Sequence, residues 1–271
     1  MHLKVKKFDM TAIKPHRILL MVAKRSSGKS CLLFDAMSNM RDRFDYCMAF
    51  CPTLDTSSKL REHMPACCIY DRFIPSKVDS LVKLASDLAS QGKERSFLLI
   101  LDDCMFDKSV SRNSALRYAF YNGRHIRLTV MVICQAATDL TPEMRSQVDI
   151  VFALKEGNIQ NRLKLYNMYF GIFSTFDDFN TVFSRCTQNF ECLVLDNTKS
   201  TTEPQDCCFW YKAKVDHSPF KLGRRVFFRL EDAHRRTSPL ALAPEEPAEA
   251  SKKTKPKLVV CKEDDDDENE R

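Results

Sequence analysis

The sequence predicts an α/β fold with a mostly parallel central sheet flanked by helices. Short apolar runs that end in polar turns alternate with stretches in which apolar residues recur at helical spacing. This alternation is typical of parallel strands that are covered by helices on both faces. The chain has 271 residues, of which 44% are hydrophobic, so it can bury a sizeable core. A fibre and a wholly disordered chain are therefore excluded.

The individual elements follow from these patterns in chain order. We predict a strand for each apolar run bounded by Pro or by a polar loop, and a helix for each apolar stripe that repeats every three or four residues. The elements are a strand over 16–23, a helix over 29–41, a strand over 44–50, a helix over 76–92, a strand over 97–101, a helix over 109–122, strands over 128–134 and 149–154, a helix over 158–170, and strands over 191–195 and 208–215. The polar stretch 196–206 predicts a hairpin-like connection between the last two strands, which extend the sheet at its C-terminal end.

The composition changes near residue 238. Residues 238–271 contain Pro and blocks of charge but few apolar residues, which predicts a disordered acidic tail. This tail carries six basic and ten acidic residues, so residues 1–237 hold 36 basic and 26 acidic ones. We predict one folded domain over residues 1–237, with its core over about residues 12–200. Its basic charge is compatible with a polyanionic partner such as nucleic acid.

The N-terminus and the cysteines indicate the compartment. The first residues lack the apolar stretch and cleavage site of a secretory signal, and no apolar run approaches the ~20 residues that span a bilayer. We therefore expect a soluble protein that is not secreted and has no membrane-spanning segment. The twelve cysteines are scattered and include no pair of Cys-x2-Cys knuckles, which favours reduced core thiols over disulfides or a zinc site.

The loop between the first strand and the first helix matches a phosphate-binding pattern. The P-loop pattern is Gly, four residues, and then Gly-Lys-Ser/Thr, and residues 23–30 fit it except that Ala23 replaces the first Gly. In a P-loop the second glycine lets the backbone amides face the phosphates, and the helix that follows adds positive potential. The residues predicted to bind the nucleotide are Ala23, Lys24, Arg25, Ser26, Ser27, Gly28, Lys29, Ser30 and Cys31.

Two further strands end in residues that suit the same chemistry. The strand over 97–101 is followed by Asp102 and Asp103. Next to a P-loop, such a strand supplies an acid for Mg²⁺, so we assign Ser30 and Asp102 to the metal and Asp103 to the attacking water. The strand over 44–50 falls between the P-loop strand and this acidic strand in the chain, which favours the class with an inserted strand. Gln135, after the strand over 128–134, could sense the γ-phosphate or orient water.

Several motifs together resemble one family. They are residues 23–30, 99–103 (Leu-Ile-Leu-Asp-Asp), 122–125 (Asn-Gly-Arg-His), 133–135 (Ile-Cys-Gln), 193–198 (Leu-Val-Leu-Asp-Asn-Thr) and 209–213 (Phe-Trp-Tyr-Lys-Ala). This set is similar to the genome-packaging ATPases of nucleocytoplasmic large DNA viruses, including the poxvirus type, within the FtsK/HerA superfamily of P-loop NTPases. The resemblance covers about residues 12–225.

The resemblance implies a function and a set of roles. It implies an ATP-driven motor that assembles as a homo-oligomeric ring and threads viral double-stranded DNA into a capsid, with capsid or portal-like partners, in the host cytoplasm (the virus factory) or the virion. By position, Lys29 and Ser30 would be Walker A residues, Asp102 and Asp103 Walker B residues, and Gln135 the sensor amide. A ring also needs an arginine that reaches the neighbour's γ-phosphate. Arg124, in a predicted loop before the Gln135 strand, is our candidate, and Arg25 could instead act in its own site.

Two other functions remain open at this point. A nucleoside or small-molecule kinase also uses a P-loop, but the sequence shows no arginine-rich lid and no separate substrate domain. A nucleotide-dependent scaffold that does not hydrolyse ATP would follow if Asp103 could not reach the attacking water.

Overall fold

Nine strands form one sheet in the computed structural model, which describes residues 4–237. The order across the sheet is β1-β9-β8-β7-β2-β6-β5-β3-β4, and within the described part every strand except β8 runs in the same direction. The strands are β1 (Lys6–Lys7), β2 (Ile18–Val22), β3 (Tyr46–Phe50), β4 (Ile69–Tyr70), β5 (Phe97–Asp102), β6 (Leu128–Cys134), β7 (Ile150–Ala153), β8 (Glu191–Asp196) and β9 (Cys208–Lys212).

The helices cover this sheet on both faces. They are α1 (Lys29–Asn39), α2 (Leu54–His63), α3 (Pro75–Ser90), α4 (Lys108–Arg112), α5 (Ser114–Asn122), α6 (Pro142–Arg145), α7 (Ile159–Met168), α8 (Phe176–Cys186), α9 (Pro204–Cys207) and α10 (Arg225–Thr237). Successive residues of β2 belong to two separate apolar clusters, with Leu20 on one face and Leu19 on the other. Residues of α3 and α5 join the first cluster, and residues of α1 join the second. The predicted α/β class is confirmed.

The central strands are almost entirely apolar because both of their faces are covered, and Thr129 and Asp102 are their polar residues. Every residue of β2, β5 and β6 is buried, and this is the pattern of strands inside a parallel sheet. The pairing of β6 with both β2 and β5 makes β6 the strand inserted between them. The class with an inserted strand is therefore correct, but the strand over 46–50 lies on the far side of β5.

Other details differ from the prediction. The helix predicted over 109–122 is interrupted at Asn113, which has an extended backbone and accepts a hydrogen bond from the Leu116 amide at 2.7 Å as the cap of α5. The last strand ends at Lys212 and not at residue 215, whereas β8 and β9 pair antiparallel as the hairpin-like connection predicts. The short strands β1 and β4 and the helices α2, α6, α8, α9 and α10 were not predicted.

The structure can be compared with the sequence predictions on the domain, the cysteines and membrane spans only over the described residues. Contacts divide the chain into a unit of residues 1–233, which holds the sheet, and a unit of residues 234–271. The predicted tail, 238–271, lies outside the described residues. All eleven cysteines of the described part are free thiols, and eight of them are buried. In the same part, no helix is both long and apolar enough to cross a membrane.

Candidate active site

The residues of the candidate site lie at one edge of the sheet, where neighbouring strands end. Because β2, β6, β5 and β3 run parallel, their carboxyl ends meet at the same edge. The P-loop follows β2, Asp102 is the last residue of β5, and Gln135 directly follows β6. In the β5–β6 register Asp102 lies opposite Ile133, so Asp103 follows at the level of Cys134, one residue before Gln135. Such an edge is where open α/β sheets bind their ligands.

The P-loop makes a tight turn whose backbone explains its glycine. Gly28 is the residue before α1, and its φ of 98° lies in the left-handed region that L side chains rarely adopt. The Ser27 hydroxyl donates a hydrogen bond of 2.6 Å to the Lys24 carbonyl and closes the turn. The amino end of the 11-residue helix α1 follows directly, and the free amides at such an end attract anions. The loop can therefore hold a chain of phosphates.

Ala23 stands where the P-loop pattern has its first glycine. Its side chain is buried among apolar residues, and its amide donates to the Cys134 carbonyl at 2.9 Å. The residue thus extends the pairing of β2 with β6 by one position. A methyl group fits there, so the departure from the pattern leaves the rest of the loop free to turn.

Lys29 joins the P-loop to the two acids. Its ammonium lies 3.1 Å from Asp102 Oδ1 and also donates to Asp103 Oδ2. Burial disfavours the charged ammonium, but the hydrogen bond from Lys29 to Asp103 and the charges of both aspartates outweigh it and raise the pKa of Lys29. The lysine is therefore held as a cation in the centre of the site.

Asp102 is a fully buried carboxylate at the end of β5. Burial raises the pKa of Asp102, and the nearby charge of Lys29 and a hydrogen bond from Cys51 Sγ to Oδ2 at 3.2 Å oppose that shift. Among the described side chains none donates to Oδ1 in good hydrogen-bond geometry, although Lys29 forms an ion pair with it. In this structure the cation beside Oδ1 is the Lys29 ammonium, and a metal ion would share the oxygen with it.

The residues assigned to Mg²⁺ fit that ion chemically. Mg²⁺ takes oxygen ligands, keeps several of its waters, and is commonly held by one or two carboxylates with substrate phosphates. Asp102 supplies a carboxylate oxygen without a directed hydrogen bond, and Ser30 supplies a hydroxyl. The Ser30 hydroxyl lies 3.4 Å from the hydroxyl of Thr56, a buried residue of α2. Thr56 therefore lies beside the hydroxyl assigned to the metal.

Asp103 is presented to the site by an unusual backbone. Its φ is 51°, in the left-handed region, and its amide donates to the Ile133 carbonyl at 2.9 Å. Its carboxylate accepts a hydrogen bond of 3.0 Å from Gln135 Nε2 and another from Lys29. The structure thus brings the predicted base, the predicted sensor amide and the P-loop lysine into direct contact.

The family of this chain follows from comparison with known proteins. The sequence profile described as Poxvirus A32 protein matches residues 5–213. The chain belongs to this family. It is 31% identical over 239 residues to an uncharacterised protein of Acanthamoeba polyphaga mimivirus, which covers 84% of this chain and 82% of the relative. It is 27% identical over 235 residues to an uncharacterised protein of Invertebrate iridescent virus 3, covering 82% and 90% of the two chains.

Solved structures share the fold of this Poxvirus A32 family member. The genome packaging NTPase of Sulfolobus turreted icosahedral virus 2 in complex with AMP aligns with a TM-score of 0.55 and 18% identity, over 74% of this chain and 100% of that one. The same NTPase in complex with ATP-gammaS gives 0.53 and 17%, over 74% and 99%. The conjugation coupling protein TcpA with ATPgS gives 0.54 and 11%, over 82% and 66%.

The site of this family member also contains residues that the sequence did not predict. Cys51 and Thr56 contact Asp102 and Ser30 as described above. Glu156, in the loop after β7, binds Lys24 of the P-loop at 2.6 Å and is itself buried. Burial raises the pKa of Glu156, but hydrogen bonds from Lys24 and from the Asn158 amide hold it below its ordinary value. Glu156 therefore fixes the start of the P-loop to β7.

Three predicted site residues lie away from the acids. Arg25 is exposed on the P-loop, and Cys31 is exposed on the first turn of α1. Arg124 precedes β6 and so lies at the amino edge of the sheet, opposite the P-loop, where it binds the buried carboxylate of Asp149. Within this chain Arg124 is therefore separated from Lys29 by the length of a strand.

Proposed function

We propose that this protein is an ATP-hydrolysing motor that packages viral double-stranded DNA into the capsid. The observation that carries the proposal is the contact of Lys29, on the P-loop, with both Asp102 and Asp103 at the edge where β2, β6 and β5 end. Membership of the Poxvirus A32 protein family and the shared fold of a viral genome packaging NTPase support it. The basic charge of residues 1–237 supports a nucleic-acid partner.

The roles of the residues follow from their positions. Lys29 and the amides of the P-loop would bind the β- and γ-phosphates, while Ser30 and Asp102 would hold Mg²⁺. When bound, that ion neutralises charge on the phosphate oxygens. Asp103 would accept the proton of the attacking water, and the amide of Gln135 would orient Asp103 through the hydrogen bond between them.

A measurement of phosphate release tests the proposal. Purified protein with Mg²⁺ and ATP should release inorganic phosphate, and long double-stranded DNA should increase the rate. Gel filtration with ATP should show a ring-sized oligomer. Phosphate transfer to a nucleoside acceptor without an effect of DNA would instead support a kinase, and nucleotide binding without phosphate release would support a scaffold.

An arginine that acts across a subunit boundary is part of the same proposal. Arg124 is exposed at the amino edge of its own subunit, from which it would have to reach the site of a neighbour. Arg124→Ala should bind ATP normally and hydrolyse it slowly, because an arginine supplied in trans stabilises charge on the transferring phosphoryl group. Mixing it with Lys29→Ala protein should restore some activity, because the second variant supplies the missing arginine to an intact P-loop.

Arg17 provides the matched control, since it binds the same carboxylate of Asp149 at 3.0 Å. If Arg124→Ala acted only by weakening that ion pair, Arg17→Ala would slow hydrolysis equally and mixing would restore nothing. Absence of recovery in demonstrably mixed oligomers would count against the role in trans and favour Arg25 acting in its own site.

A further inference from the structure

The turn between α8 and β8 is strained and holds an aromatic ring outside the core. Asn189 and Phe190 both have left-handed backbones, with φ of 51° and 63°. Residues other than glycine adopt this conformation rarely and at a cost in free energy, and such strain is found mostly where function uses it. The side chain of Phe190 is 68% exposed. Nothing in the packing of the core therefore accounts for a phenylalanine at this position.

The ring of Phe190 lies directly over the P-loop. A Cβ atom built on Gly28 would sit 3.4 Å from Phe190 Cδ1. Phe190 and Asn189 line one side of a cleft of about 500 Å³, whose other walls include P-loop residues 24–27 and Lys155. This cleft is lined by cationic and hydroxyl side chains, which suit a chain of phosphates.

A second cleft also has Phe190 in its wall. It has a volume of about 250 Å³ and is lined by Cys31 and Leu32 of α1, by Leu154 after β7, and by Ala213 and Val215 after β9. Its walls are mostly apolar, and Val215 is exposed like Phe190. An apolar cleft that shares Phe190 with the first cleft, and has Gly28 of the P-loop in its wall, suits a flat ring attached to a phosphate chain.

We infer that Phe190 and this apolar cleft bind the purine base of the nucleoside triphosphate whose phosphates the P-loop holds. The inference rests on the proposed function. The exposed face of the phenylalanine stacks on the base, and Leu154 and Val215 exclude water from its edges. Stacking of a base on an aromatic side chain contributes enough that its loss weakens binding about fivefold or more. Phe190 would thus bind the base and leave the phosphates to Lys29.

Calorimetric titration with two ligands distinguishes the contribution of the base to the affinity from that of the phosphates. The ligands are ATP and inorganic triphosphate, each with Mg²⁺, and the proteins are the wild type, Phe190→Ala and Phe190→Trp. Phe190→Ala should bind ATP about fivefold or more weakly and bind triphosphate unchanged. Phe190→Trp should keep the affinity for ATP, and its fluorescence should change with ATP but not with triphosphate. The wild type, which contains Trp210, is the fluorescence reference.

Tyr121 provides the matched control, because it is an exposed aromatic residue at the end of α5, near the amino edge of the sheet. Tyr121→Ala should leave both affinities unchanged. Equal losses of both ligands in Phe190→Ala would show that the ring only shapes the P-loop, and unchanged ATP binding would overturn the inference outright. Failure of the proposed function looks different: a wild type that bound neither ligand would contradict the P-loop assignment. ATP binding without DNA-stimulated phosphate release would contradict the motor and leave the role of Phe190 intact.

Discussion

Replacing Lys29 with alanine should reduce ATP hydrolysis by about 10²–10³-fold or more. The ammonium of Lys29 is placed between the P-loop and the two aspartates, so it is the side chain best placed to neutralise charge that develops on the phosphates. Among the described residues, no other P-loop side chain forms a hydrogen bond or ion pair with these acids. Phosphate release at saturating Mg²⁺ and ATP measures the loss, and circular dichroism checks that the variant is folded.

Lys83→Ala is the matched control, because Lys83 is an exposed lysine on α3. It should leave hydrolysis unchanged while it lowers the net charge by the same amount. Lys29→Ala also leaves Asp102 and Asp103 without their cation, so we expect a lower melting temperature for this variant. Wild-type hydrolysis in a folded Lys29→Ala preparation would end the P-loop assignment.

The two aspartates should respond differently to the same change. Asp103→Asn should keep ATP binding and lose hydrolysis by about 10²–10⁴-fold, because the amide preserves size and can still accept from Gln135 but cannot take a proton from water. Asp102→Asn should instead raise the Mg²⁺ concentration needed for half-maximal activity, since a neutral amide is a weaker ligand for a hard cation.

Each of these isosteric variants serves as the control for the other. Titration of fluorescent ATP measures binding, and phosphate release at several Mg²⁺ concentrations measures activity. If both variants bound ATP poorly and lost activity alike, the division of roles between Asp102 and Asp103 would be wrong.

The sequence predicted those parts of the fold whose signals are local. β2, β5 and β6 are buried on both faces, and each is an almost entirely apolar segment whose ends were predicted to within about two residues. The strands β1 and β4 have two residues each, which is too short for any periodicity to show. α2 is mostly polar, so it carries no strong apolar stripe. The cap at Asn113 was a local signal that the prediction overlooked.

The site residues that local motifs mark were also predicted, whereas those that depend on the arrangement of strands were not. The P-loop and the Asp102–Asp103 pair are contiguous motifs, and the place of Gln135 at a strand end follows from parallel strands. The contact of Cys51 with Asp102 depends on which strands are neighbours, and the sequence does not state that order. The position of Arg124 also depends on the chain direction of β6. Residues that precede a parallel strand lie at one edge of the sheet, and residues that follow it lie at the opposite edge. Its distance from the P-loop follows from this rule.

The buried carboxylate of Asp149 has more than one partner that balances its charge. Arg17 binds it at 3.0 Å, the Ile18 amide donates to its other oxygen at 2.8 Å, and Arg124 binds it as well. The Arg17 side chain is 18% exposed and that of Arg124 62%. A buried charge left alone is costly, but here the departure of Arg124 would leave two donors in place. If the Arg124 side chain turned away, Asp149 would therefore keep a counter-ion in Arg17 and a hydrogen bond from the Ile18 amide.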